Sequence, residues 1–221
     1  MSVQIDVLDH GFVRLVDHYG DDNRIVQAAR VSYGAGTKTK RQDAQLIGYL
    51  MRNQHMSPFE MVDFTFHIKA PIFVARQWFR HRTASVNEIS ARYSVMAVQF
   101  YVPDVARKQS TTNKQGSGDH VDDPQKCHDI YQQAYQAAYS AYTELLEEGV
   151  SREQARLVLP VGLYTEFYWK QNLRNLLHLL QLRLDSHAQA EAQEYAQAIL
   201  ALIEPVAPAT VQAWGEYVAQ R

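Results

Sequence analysis

From Met61 to Ile68 apolar and polar residues alternate almost without a break. Val62, Phe64, Phe66 and Ile68 fall on one side of an extended chain, and Asp63, Thr65 and His67 fall on the other. A period-two run of β-branched and aromatic residues predicts a strand with one face in a core and one face toward water. That is the pattern of an antiparallel sheet. Residues 3–7 and 12–16 are shorter alternating strands around the turn Asp9-His10-Gly11, and 98–102 is a further strand closed by Pro103. The other segments alternate with helical patterns. Residues 21–31 are capped by Asp21 or Asp22, with Ile25, Val26 and Ala29 on one face. Residues 41–52 carry Leu46, Tyr49 and Leu50 as an apolar stripe. Pro71 suits the first position of a helix over 72–81.

The segment 83–95 mixes loop and strand signals, 33–40 is a loop with Gly34 and Gly36, and 107–123 is the most loop-like stretch, polar and long. Asp123 and Pro124 open a helix that stops at Gly149 and carries Tyr131, Tyr135, Tyr139 and Tyr142, a stripe suited to core or subunit contact. Ser151 to Gln154 form a capping-box pattern before a short helix that ends before Pro160. Residues 166–184 predict a long apolar helix. Residues 186–203 predict another, with Ala190, Tyr195, Ala198 and Leu202 facing inward. The expectation is an α+β protein: one domain over 1–221, a mostly antiparallel sheet flanked by helices, and a helical C-terminal portion.

Composition narrows the function classes. A formal charge of −2 argues against a dedicated nucleic-acid coat or a polybasic membrane anchor. The single cysteine, Cys127, permits no intrachain disulfide and points to a reducing, cytoplasmic setting. The first residues lack the pattern of a signal peptide, and no apolar run approaches the ~18 residues of a membrane span.

Chemistry is densest from Arg80 to Tyr93: Arg80, His81, Arg82, Ser85, Asn87, Glu88, Ser90 and Arg92 lie within this short stretch. Guanidinium forks match phosphate oxygens, while Asn, Glu and Ser match the polar edge of a base. Gln77 shares a helical face with Arg80. The spacing Arg-His-Arg, two variable residues, Ser, one variable, Asn-Glu, one variable, Ser, one variable, Arg-Tyr resembles the signature of flavin-dependent thymidylate synthases, and every fixed position is met. His55 to Glu60, Arg156 to Pro160 and Arg183 to Gln189 resemble three further segments of that family, in the expected order.

The resemblance implies an FAD enzyme that methylates dUMP to dTMP. It would use 5,10-methylenetetrahydrofolate as carbon donor and NADPH as reductant, in a homotetramer with shared active sites. By matching position it implies FAD contacts at Ser57, Arg80, His81, Arg82, Glu88, Asn172, Leu173 and Arg174. His178 is a further one, standing where some relatives have asparagine. It places Gln77, Trp78, Phe79, Arg80, Glu88, Ile89, Ser90, Ala91, Arg92, Arg156 and Arg183 around dUMP.

The residues also carry a reading of their own. Without a catalytic thiol, uracil is activated at C5 by stabilising negative charge at N3 and O2. Arg183 is the candidate for that role, against a simpler one as a helix-end cation. Cys127, between Lys126 and His128, matches no nucleophile motif. Ser57 and Glu60 either contact a ligand or form a capping box with Pro58, and His55 is either structural or a ligand contact. The histidines lack metal-ligand spacing, and no G-x-G-x-x-G or P-loop is present, so FAD would rest on scattered arginines, amides and a subunit interface. Two other classes stay open: a single-strand nucleic-acid binder using Arg80, Arg82, Arg92, Trp78 and Tyr93, and a flavoprotein acting on another substrate.

Overall fold

The computed structural model describes residues 3–31, 40–92, 99–114 and 116–219. The loop expected at 33–40 lies almost wholly outside them, as do Tyr93 of the motif and the first residue of the strand expected at 98–102. In that last segment Phe100 forms a single antiparallel bridge to Leu163.

A five-stranded antiparallel sheet organises the chain, in the order β1 (Gln4–Val7), β2 (Gly11–Tyr19), β3 (Asp63–Pro71), β7 (Tyr164–Asn172) and β4 (Ser85–Glu88). The alternation around β3 decides the sheet's faces: Val62, Phe64, Phe66, Ile68 and Ala70 are buried, while Asp63, Thr65, His67 and Lys69 are half-exposed. The apolar face packs against α6 (Leu173–Arg183), α7 (Ala190–Ile203) and α3 (Ile72–Trp78). Where α7 crosses β2 the fit requires glycine. A Cβ on Gly11 would lie 2.0 Å from the Tyr195 hydroxyl and 2.8 Å from the Lys69 carbonyl.

The outer helices follow their caps. α1 (Asp22–Arg30) is capped by Asp21, whose carboxylate accepts from the Asn23 and Arg24 N–H groups. α2 (Lys40–Arg52) buries Ile47, Leu50 and Met51; the expected Tyr49 is exposed, because the inward stripe sits one step further round. α4 (Pro124–Glu147) has the Asp123 cap and Pro124 at its start, and Gly149 follows it at φ +81°. Of its tyrosines Tyr142 is fully buried, and Tyr135 donates to the Tyr101 carbonyl and stacks on Phe100. α8 (Pro208–Tyr217) closes the C-terminal side against α2.

Several expectations are corrected. Residues 166–172, expected to begin a helix, belong instead to the strand that runs over Tyr164–Asn172. Thr165, Phe167, Trp169 and Gln171 face the core, while Tyr168 and Lys170 face out, so the period is two until Asn172 caps α6. Within the stretch expected to be a loop, β5 (Arg107–Gln109) and β6 (Ser117–His120) form a two-stranded ribbon. Its mostly exposed polar residues give no alternating signal. Pro71 is the last residue of β3 and precedes α3 instead of opening it, and α3 stops at Trp78 in a turn. Ser151 opens α5 (Arg152–Ala155) without a side-chain capping bond. α7 starts at Ala190, four residues later than expected.

Candidate active site

Two helix ends, distant in sequence, meet at one point. The end of α3 supplies Gln77, and the turn after it supplies Arg80 and His81. The His81 N–H bonds back to the Trp78 carbonyl at 3.0 Å. The last residue of α6 is Arg183. Its Nε donates to His81 Nε2 and its Nη2 to the Gln77 carbonyl, each at 3.3 Å. His81 is therefore an acceptor. Burial first, then the charges of Arg183 and His178, hold its pKa down to about 4, so at neutral pH the imidazole is uncharged with its proton on Nδ1. Burial and the nearby Arg80 charge push the Arg183 pKa down as well. Among the described residues, Arg80, Arg82 and Arg183 have no carboxylate partner, unlike Arg30, Arg107 and Arg174. Arg80 and Arg183 are close enough for their charges to act on each other, and guanidinium groups without anions of their own are suited to phosphate and carbonyl oxygens.

α6 forms a wall between this point and a second group. Its N-cap, Asn172, accepts from the Asn175 N–H at 3.0 Å. Arg174 pairs with Glu60, which ties the 55–60 segment to the helix start. Ser57 opens a 3-10 turn (Ser57–Met61) whose N-cap position is Met56 and which has no side-chain cap bond, so the capping-box alternative for Ser57 is not realised. His178 lies one turn beyond Arg174 and meets the His81 ring edge-on at 6.5 Å. Arg174 and His178 line a cleft of about 300 Å³ with Met51, Met56 and Trp214. From Asn172 to Arg183 the wall is roughly 16 Å long.

The third part is the sheet edge. Among the described residues β4 has no further strand beside it, and the Thr165 hydroxyl donates to Glu88 Oε1 at 2.7 Å. Ser90 accepts from the Arg92 N–H at 3.4 Å in the turn that follows. Ile89 is exposed and Ala91 half-exposed. Trp78 and Leu173 are 1% and 0% exposed, so both lie within the core. Phe79 packs edge-on against Phe167. Arg156 is exposed on a 3-10 turn (Arg156–Val158), its Nε donating to the Glu153 carbonyl at 3.4 Å. Cys127 is half-buried in the first turn of α4, outside all three groups.

The family described as thymidylate synthase complementing protein matches residues 14–209. A flavin-dependent thymidylate synthase of Thermus thermophilus is 59% identical over 214 residues, covering 97% of this chain and 79% of that protein. The chain belongs to the flavin-dependent thymidylate synthases. The Treponema denticola member of the family is 51% identical over 94% of the chain and 80% of its own length. Among solved structures, the UMP/dUMP methylase PolB from Streptomyces cacaoi bound with 5-Br dUMP superposes with a TM-score of 0.89 at 36% identity, covering 97% of this chain and 99% of that one.

For a flavin-dependent thymidylate synthase the residues present fit a dinucleotide cofactor. Arginines without carboxylate partners would supply charge for a pyrophosphate, and the cleft beside Arg174 and His178 would supply polar donors against apolar side chains. Two residues that sequence reasoning passes over belong to the same constellation. Gln189 accepts from Gln77 Nε2 at 2.6 Å, and Thr165 donates to Glu88. In the sequence Gln189 is visible only as the end of a motif. Thr165 is hidden by the helical reading of its strand.

Proposed function

We propose that this protein makes dTMP by reductive methylation of dUMP, with FAD as resident cofactor, 5,10-methylenetetrahydrofolate as carbon donor and NADPH as reductant. The observation that carries the reading is the meeting of Arg183, His81 and Gln77 at one point, in a chain of this family. Ser57, Arg80, His81, Arg82, Glu88, Asn172, Leu173, Arg174 and His178 would hold FAD, which when bound supplies the hydride. Gln77, Trp78, Phe79, Arg80, Glu88, Ile89, Ser90, Ala91, Arg92, Arg156 and Arg183 would surround dUMP.

Arg183 does the electrostatic part of the chemistry. Held by His81 and the Gln77 carbonyl, its planar fork would present the remaining N–H groups to uracil O2 and, once the N3 proton has passed to water, to N3. Charge that develops there as C5 becomes nucleophilic is met by donors already in place. The neutral His81 accepts from the guanidinium without adding a competing positive charge. Ser90 orients the nucleotide by hydrogen bonding. Cys127 lies outside this constellation, so no thiol need add to the base.

Among the described residues no hydrogen bond or ion pair joins Arg156 to the Arg183 group, which is in keeping with active sites completed by neighbouring subunits, and we read the assembly as a homotetramer. Leu157, 79% exposed, and the exposed Tyr168, Val86 and Ile89 are apolar surfaces suited to such contacts. A cytoplasmic location is in keeping with the single free cysteine.

The test is a visible spectrum of the purified protein with and without dUMP, followed by assay for dTMP. A flavin spectrum that shifts on adding dUMP, together with dTMP formation, is the expected result. A colourless protein that cannot be reconstituted with FAD points to the nucleic-acid-binding class. A yellow protein that makes no dTMP points to another substrate.

A further inference from the structure

We infer that Thr165 is a positioning residue for dUMP, acting through Glu88. The inference rests on the reading of Glu88 as a nucleotide contact.

Glu88 ends an edge strand in which all four residues are exposed. An edge carboxylate with water on its open side has many rotamers of similar energy, and binding a ligand through it costs the entropy of choosing one. Here one side chain makes the choice in advance. Thr165, on the neighbouring strand β7, is only 4% exposed, and its hydroxyl donates to Glu88 Oε1 at 2.7 Å. Threonine suits the task because branching at Cβ restricts χ1, so a buried threonine presents its hydroxyl in a fixed direction.

Register places this contact on the face of the sheet that carries α3, the helix that leads into Arg80 and His81. Glu88 is directly opposite Phe167, and residues paired across an antiparallel ladder share a face. Thr165 precedes Phe167 by two and shares that face too. The Phe167 ring meets Phe79 edge-on at 5.0 Å, and Phe79 is the residue before Arg80. The Ile89 N–H continues the ladder to the Glu166 carbonyl at 2.9 Å, so the backbone on the far side of Glu88 is fixed as well. With one carboxylate oxygen taken by Thr165, the other is left for a donor on the nucleotide, in a set orientation.

A double-mutant cycle tests this on the FAD-loaded enzyme, with dUMP affinity read from the change in flavin absorbance during titration and kcat, KM and melting temperature measured beside it. Thr165→Val keeps shape and β-branching but removes the donor. It is expected to weaken dUMP affinity roughly tenfold, as befits a hydrogen bond to a charged group, with melting nearly unchanged. Thr165→Ser is expected to recover most of the loss. In a Glu88→Gln background, the further change to valine at 165 is expected to cost far less than it does in the wild type, because the partner is already altered. Wild-type affinity in the Thr165→Val enzyme overturns the inference, and so does a loss of the same size in the Glu88→Gln background. If the wild-type enzyme forms dTMP and either of these overturning results appears, only the role of Thr165 falls. A wild-type enzyme with no dUMP response overturns the functional reading itself.

Discussion

Arg183 has two of its N–H groups committed within the protein, one to His81 and one to the Gln77 carbonyl. A guanidinium pinned in this way resembles an oxyanion donor more than a mobile surface charge. Arg183→Ala is therefore expected to lower turnover at saturating dUMP by about 100- to 1000-fold, the size of a missing oxyanion donor, with FAD content preserved. Arg183→Lys should recover little, because an ammonium cannot bond His81, Gln77 and a ligand in one plane. Near-normal turnover in the alanine variant would refute the role. His81 gives a pH signature. Folded, it is held down to about 4; unfolded, it titrates near its ordinary 6.5. Between those values the unfolded chain binds the extra proton, so this residue withdraws stability as pH falls through that window and withdraws no more below it. His81→Asn is expected to flatten part of the decline in melting temperature between pH 7 and pH 5, and equal slopes for variant and wild type would count against the assignment. The chemical types at this site are legible in the sequence, because the arginines, His81, Glu88 and Ser90 are crowded together. The partners Thr165 and Gln189 are not, since nothing local marks a residue that serves another one far along the chain.

At the scale of elements, the strand β7 shows how a helical reading goes astray. Residues 164–172 run into the leucine-rich start of α6 without glycine or proline between them, and the apolar density of the two reads as one pattern. The boundary is nevertheless present as Asn172, whose side chain caps the helix. α8 shows the opposite case. Its N-cap residue, Ala207, has no side-chain bond to offer, and the missing acceptor arrives from α1. Asp22 accepts from the N–H groups of Ala209 and Thr210 at 2.8 and 3.1 Å and from the buried Thr210 hydroxyl at 2.6 Å. Asp22→Ala leaves those donors without their acceptor and is expected to cost about 2–4 kcal/mol in urea denaturation, with Asp22→Asn recovering part of it. A cost below about 0.5 kcal/mol, the range of an ordinary surface change, would show that water replaces the carboxylate.

For the whole molecule, the apolar side chains left outside matter most. α4 runs for 24 residues and buries only Tyr142, and β4 lies at a sheet edge with Val86 and Ile89 exposed. A lone chain with such surfaces is prone to pair with others. Light scattering together with flavin quantitation is expected to show a tetramer with FAD bound; a stable monomer with full FAD content would contradict assembly as the source of the shared sites.

The sequence by itself determined whatever has its cause within a few residues. The alternation around β3 fixes which side chains of that strand face the core, Asp21 and Asp123 start helices with their own side chains, and the Arg80 to Arg92 stretch sets the donors and acceptors of the site. Tertiary structure alone decided which of these come together. Arg183 reaches His81 across 102 residues of chain, Thr165 reaches Glu88 across 77, and Asp22 reaches Thr210 across 188. Each depends on strands paired far along the chain, β4 with β7, or on helices packed together from opposite ends of it, and so on the cooperative burial of the whole core. Local patterns carry no record of such contacts, because the free energy that holds them comes from closing the chain on itself and not from the residues on either side.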